Sequence, residues 1–130
     1  MIHFAYTILY VQNVEKSVEF YEKAFGFARK FVTPENDYGE LMAGATTLSF
    51  ASHSLARSNF KDAYTESSPS NKPLGMEIGF TCLNVEETVN AAVKAGGTLL
   101  ENPKTKPWGQ VVAYIRDPDG FIVEICTPMG

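Results

Sequence analysis

A chain of 130 residues with 45% apolar and 20% charged residues has ordinary globular composition and fits a single domain with a modest core. Eleven basic residues against fifteen acidic ones, with no Lys/Arg cluster, leave no electrostatic footprint for a nucleic-acid partner. The longest uncharged apolar stretch, residues 1–14, is too short to cross a bilayer and lacks the basic n-region and cleavage site of a signal peptide. No membrane partner is expected, and the expected compartment is cytoplasmic. Cys82 and Cys126 form no CxxC pair, so reduced thiols are expected rather than a disulfide.

The chain opens with an apolar run over residues 2–11, which reads as a strand. Asn13 is a good N-cap, and Val14, Val18, Tyr21 and Phe25 then form one stripe of an amphipathic helix that Gly26 stops. Residues 27–33, 38–42 and 46–52 read as strands, separated by the turn Pro34-Glu35-Asn36-Asp37 and the tight turn Ala43-Gly44-Ala45. The order is β-α-β-β-β. Residues 53–73, rich in Ser, Asn and charge and without apolar periodicity, read as a linker.

The same order then returns. A strand over 76–82 precedes Asn84, whose Glu87 three residues on completes a capping box; Val85, Val89 and Ala92 make the helix stripe and Gly96-Gly97 ends it. Residues 98–101 and 110–116 read as strands around a loop over 102–109, and Asp117-Pro118-Asp119-Gly120 suits a type I turn before a last strand over 121–126. Laying residues 6–27 over 77–98 without a gap matches Asn13 with Asn84, Val14 with Val85, Glu15 with Glu86, Val18 with Val89 and Lys23-Ala24 with Lys94-Ala95. One supersecondary unit is used twice, about 1–52 and 74–130.

Strand alternation separates two faces. Leu9, Val11, Leu48, Phe50, Ile78, Phe80, Phe121, Val123 and Ile125 form an apolar face for the helices to cover. The opposite face carries Tyr6, Ile8, Tyr10, Thr47, Ser49, Glu77, Thr81, Glu124 and Cys126. Its mixture of phenols, hydroxyls and carboxylates reads as a cup for a small molecule. Tyr114 and Arg116 share a strand face, but the pattern leaves open whether it is the cup face; Arg116 is either a carboxylate clamp or a surface charge before the turn.

The start Val11-x-Asn13-Val14-x-x-Ser17-x-x-Phe20-Tyr21, the paired β-α-β-β-β units and the Arg-Asp-Pro-Asp-Gly-Phe-Ile-Val-Glu-Ile segment at 116–125 resemble the vicinal oxygen chelate superfamily of glyoxalase I, bleomycin- and fosfomycin-resistance proteins and extradiol dioxygenases. The resemblance implies an α+β fold in which two βαβββ modules form a cupped, partly open eight-stranded sheet with helices outside. It also implies a homodimer. Metal enzymes of that group place ligands on the first and last strands of each unit, slots that fall here on Tyr6, Ser49, Glu77 and Glu124. Only the two glutamates are conventional ligands for a divalent cation, and neither His3 nor His53 occupies a slot. No cofactor is therefore expected.

In metal-free binding members, aromatics near the loop of Trp108 stack on the ligand; the alternative for Trp108 is a plug at the rim. The expected function is metal-independent binding of a small aromatic or antibiotic-like molecule, with Tyr6, Tyr10, Ser49, Glu77, Trp108, Tyr114 and Glu124 as binding residues. The alternative is a metal-dependent lyase or isomerase of the lactoylglutathione lyase type, in which Glu77 and Glu124 hold the metal or move a proton and Glu124 is the catalytic candidate.

Overall fold

A computed structural model describes residues 1–61 and 64–129; Asp62 and Ala63, inside the expected linker, and Gly130 lie outside the described residues. The chain divides into two compact units, residues 1–22 with 26–66 and residues 23–25 with 67–130.

In the first unit the strand β1 (Tyr6–Val11) is followed by the helix α1 (Val14–Phe25) and the strands β2 (Ala28–Val32), β3 (Tyr38–Ala43) and β4 (Thr46–Ser52). The helix begins where the cap requires: Asn13 Oδ1 accepts the Lys16 N–H at 3.1 Å. Asn36, at φ 57°, adds a second lock by accepting the Glu15 N–H at 2.8 Å. Gly26 stops the helix in the left-handed conformation at φ 71°. The sheet order is β1-β4-β3-β2, with β1 parallel to β4 and the remaining pairs antiparallel.

Helix α1 buries Val14, Val18 and Tyr21 with Leu9, Val11, Leu41, Leu48 and Phe50. The approach is close. A Cβ on Gly39 would meet Val14 Cγ1 at 3.0 Å, so the glycine on β3 admits the helix. On the helix surface Arg29 of β2 binds both Glu15 oxygens, at 2.9 and 2.6 Å, and both of Glu22.

The second unit runs β5 (Glu77–Thr81), α3 (Val85–Lys94), β6 (Thr98–Thr105), β7 (Val111–Arg116) and β8 (Ile122–Cys126), with sheet order β5-β8-β7-β6. Asn84 caps α3 as its counterpart caps α1, accepting the Glu87 N–H at 3.0 Å. Val85, Val89 and Ala92 are buried, as are Ala113, Ile115, Val123 and Ile125 of the sheet. Edge strand β6 runs on to Thr105, four residues beyond the expected end, through two register breaks at the edge where Pro103 withholds no ladder bond from a central strand.

The two βαβββ modules of the expected α+β fold are thus present, their eight strands arranged as two four-stranded sheets that are not closed. The linker reading needs correction. Its first seven residues form the helix α2 (His53–Asn59), capped by Ser52 Oγ on the Leu55 N–H at 3.1 Å and burying His53 and Ala56. Seven residues are too few to display a periodic stripe, so the helix is held by packing rather than announced by pattern. The end of the linker is pinned as well. Ser67 Oγ donates to Asp119 O at 2.8 Å, and Arg116 donates to the carbonyls of Gly120, Ser68 and Pro69.

Candidate functional site

In the second unit the parallel pairing of β5 with β8 puts Gly79 beside Glu124, and the antiparallel pairing of β7 with β8 puts Tyr114 on its other side. Side chains of directly paired residues share a face, so the register places Tyr114 and Arg116 on the face of Glu124. Tyr114 completes the arrangement by donating its hydroxyl to Glu124 Oε1 at 3.0 Å. This bond, then burial, pushes the phenol up to about 12. Gly79 borders the carboxylate: a Cβ there would stand in ordinary contact with Glu124 Oε2, at 3.9 Å.

Glu77 stands two residues before Gly79 on the same face. Burial, followed by its hydrogen bond and charge repulsion with Glu124, holds the Glu77 carboxyl above the usual carboxylate range. Cys126, beside them, donates its thiol to Phe80 O at 3.7 Å. Burial and Glu124 push that thiol up to about 11, so it lacks the thiolate character of a nucleophile. Both cysteines are free.

In the first unit Tyr6 is 48% exposed on β1, and Ser49 on β4 is fully buried, its Oγ without a hydrogen bond. Across the ladder from Ser49 lies Glu40, a residue sequence reasoning missed. Tyr38 Oη donates to Glu40 Oε2 at 2.6 Å, and burial followed by Glu40 pushes this phenol up to about 12. Ser49 acts weakly on the Tyr38 hydroxyl, in the opposing sense, without reaching hydrogen-bond geometry. The signal was available: counting outward from the Gly44-Ala45 turn, with Ala43 opposite Thr46, sets Glu40 opposite Ser49.

Tyr10, expected in the binding set, is covered from the linker side. Its ring lies 4.9 Å from that of Tyr64 and 5.9 Å from that of Phe60. His53 Nδ1 meets Tyr64 Oη at 2.7 Å and its Nε2 lies 3.8 Å from Glu66, while Arg57 pairs with Glu66 and overhangs the Tyr64 ring. Trp108 is 63% exposed, so it does not plug a rim. Its indole N–H donates to Gln110 Oε1 at 2.9 Å, and Gln110 is itself anchored on Thr127 O. With Pro128 and Met129 it lines a hollow of about 300 Å³.

Whether these residues fit a metal follows from the donor sets. The first unit offers a phenol and a buried serine hydroxyl in its two slots; the second offers Glu77 and Glu124, whose Oε1 already accepts the Tyr114 hydroxyl. Among the described residues no group of three or more His, Cys, Asp and Glu is arranged to hold a metal ion. Neither unit's set suits a zinc-, nickel- or iron-type centre, which takes imidazole or thiolate.

Similarity to known proteins agrees with this architecture. The chain is 25% identical to a glyoxalase-related enzyme from Fulvimarina pelagi, whose crystal structure superposes with a TM-score of 0.82 over 98% of this chain and 89% of that one. It is 27% identical to a lactoylglutathione lyase of Neisseria meningitidis over 92% of its own length and 86% of the relative's. A lactoylglutathione lyase of Arabidopsis thaliana matches at 26% over 94% of this chain, which spans only 43% of that longer protein. The family model described as Glyoxalase/Bleomycin resistance protein/Dioxygenase superfamily matches residues 3–125, and the chain belongs to that superfamily.

Proposed function

We propose that the protein binds a small aromatic or antibiotic-like molecule on the polar faces of its sheets, without a resident metal. The observation that carries this reading is that each unit commits a glutamate carboxylate to a tyrosyl hydroxyl, Glu40 to Tyr38 and Glu124 to Tyr114, while aromatic surface stays open at Tyr6 and Trp108. Carboxylates oriented by phenols are hydrogen-bond acceptors of fixed direction, suited to orient a ligand beside exposed rings. We propose further that the protein works as a homodimer in the cytoplasm. Light scattering on the purified protein reads the first point, and fractionation the second.

A second reading has its own support in Glu77. A carboxyl held above the usual range by burial and by a neighbouring carboxyl is a candidate for giving or taking a proton, and relatives named lactoylglutathione lyase lend weight to an isomerising lyase that would require an added metal.

One experiment separates the two. Untagged protein is assayed for Ni, Zn, Fe, Mn and Mg and for turnover of the methylglyoxal–glutathione hemithioacetal, then screened by thermal shift against aromatic antibiotics and thioethers with Trp108→Ala in parallel. The binding reading predicts no stoichiometric metal, no turnover, and a ligand shift that Trp108→Ala reduces. Stoichiometric metal lost in Glu124→Gln, with turnover, establishes the lyase instead.

A further inference from the structure

The repeat places a carboxylate at Glu124 and a serine at the corresponding position, Ser49, yet the first unit has not lost its carboxylate. Glu40, directly opposite Ser49 in the β3–β4 ladder, brings one to the same place from the neighbouring strand. The arrangement differs from that of the second unit, where the carboxylate is on β8 and the tyrosine opposite it on β7: in the first, both the tyrosine and the glutamate are on β3 and the residue opposite the glutamate is small.

The two oxygens of Glu40 differ in what they meet. Oε2 takes the short Tyr38 hydroxyl bond at 2.6 Å. Among the described residues Oε1 meets Lys30 Nζ at 3.6 Å, well beyond the roughly 2.7–2.9 Å of a charge-assisted N–H···O bond. Lys30 reaches this point because the β2–β3 register slips between Arg29 and Phe31, and its ammonium donates to Thr47 Oγ1 at 3.1 Å. An ammonium thus rests on the site with one good bond and a long ion pair, on a side chain 39% exposed. Beside it the Ser49 hydroxyl is fully buried and unpartnered, a cost that a group bonding there would recover.

Aromatic surface borders the same place. The Phe31 ring lies 5.9 Å from Tyr38, and Phe31 and Tyr6 are 44% and 48% exposed. Ring faces next to a carboxylate favour a cation carried on an organic group over a neutral or anionic one.

We propose that Glu40, Tyr38 and Ser49 form a recognition site for an organic ammonium group, with Lys30 as the tethered cation that such a ligand displaces. The proposal rests on the small-molecule reading above and specifies the charge of the molecule. Glu40 supplies the counter-charge, Tyr38 fixes the carboxylate's direction, Ser49 Oγ accepts one further bond from the ammonium, and Phe31 with Tyr6 flanks the carbon skeleton.

Two matched probes test it: 2-phenylethylammonium and neutral 2-phenylethanol, titrated into ¹⁵N-labelled wild type, Lys30→Met and Glu40→Gln, with spectral dispersion showing that each variant is folded. The ammonium is expected to move the amides of residues 38–41 and 47–50 and to bind at least tenfold more tightly than the alcohol. Lys30→Met is expected to tighten it by roughly fivefold by removing the competitor, and Glu40→Gln to weaken it at least tenfold. Equal affinity for the two probes, or an affinity unaltered by both substitutions, overturns the ammonium site while leaving small-molecule binding intact. Absence of binding by both probes and by every compound of the thermal-shift screen overturns both.

Discussion

Replacing Gly120 by alanine should destabilise the second unit by an amount that the geometry allows to be worked out. Gly120 closes the Asp117-Pro118-Asp119-Gly120 turn at φ 93°, where an L side chain costs roughly 1–2 kcal/mol. A Cβ there would sit 2.6 Å from the carbonyl carbon of Ser68, 2.7 Å from its oxygen and 2.8 Å from Arg116 Nη2. Two of these three atoms are backbone and cannot swing aside. Relief requires moving the 67–69 segment away, which breaks the Arg116 Nη2 bond to Ser68 O at 2.9 Å; a hydrogen bond from a charged donor contributes about 1.5–3 kcal/mol. The expected total is about 2.5–5 kcal/mol, a large part of the stability of a small protein. Gly44→Ala is the control, since its φ is 67° but a Cβ there meets nothing within 4 Å, leaving only the conformational cost. Urea midpoints at unchanged slope measure both. Equal losses for the two variants, within about 0.5 kcal/mol by the same linear extrapolation, would refute the clash and with it the role of Arg116 as a clamp on the linker.

Three further outcomes follow from the electrostatics. Because the Glu77 carboxyl is raised, its contribution to stability is complete below the ordinary value of 4.5 and is lost as pH rises through the folded value. Glu77→Gln should therefore gain stability relative to wild type as pH goes from 4 to 7, by no more than the ~1 kcal/mol of exposed charge pairs, and a pH-independent difference would contradict the coupling to Glu124. Glu15 behaves oppositely: its hydrogen bonds to Arg29 lower it, so its contribution is present above 4.5 and lost as pH falls through the lowered folded value. Arg29→Gln should flatten that acid limb while costing up to ~1 kcal/mol at pH 7, read from urea unfolding across pH 2–7. Iodoacetamide at pH 8 should modify the partly exposed Cys82 well before the buried Cys126, whose thiol stands at about 11; faster labelling of Cys126, read by peptide mass mapping, would contradict its placement.

Much of this arrangement was legible in the sequence because it is locally encoded. Asn13 and Asn84 cap their helices, Gly26 ends α1, and strand alternation put Leu48 and Phe50 inside and Tyr6 and Glu77 on the other face. What escaped depended on register or on long-range contact. The face of Tyr114 is set by its pairing with Glu124, and the pairing of Glu40 with Ser49 by the turn between β3 and β4, neither of which the repeat itself reveals. Tyr10 was read as a binding residue, and Phe60 and Tyr64, fifty and fifty-four residues away in a segment with no periodic pattern, set tilted rings against it. Arg116, read as a clamp or a surface charge, proves to hold three backbone carbonyls rather than a carboxylate.

The proposal that this superfamily member binds a small molecule without a resident metal stands or falls on elemental analysis of the untagged protein, before and after dialysis against Ni and Zn, alongside hemithioacetal turnover. Substoichiometric metal in both samples and no turnover in either are expected, since the slots carry Tyr6, Ser49, Glu77 and Glu124 and neither imidazole nor thiolate. One tightly held metal per chain, lost in Glu124→Gln together with a turnover that the wild type shows, would contradict it.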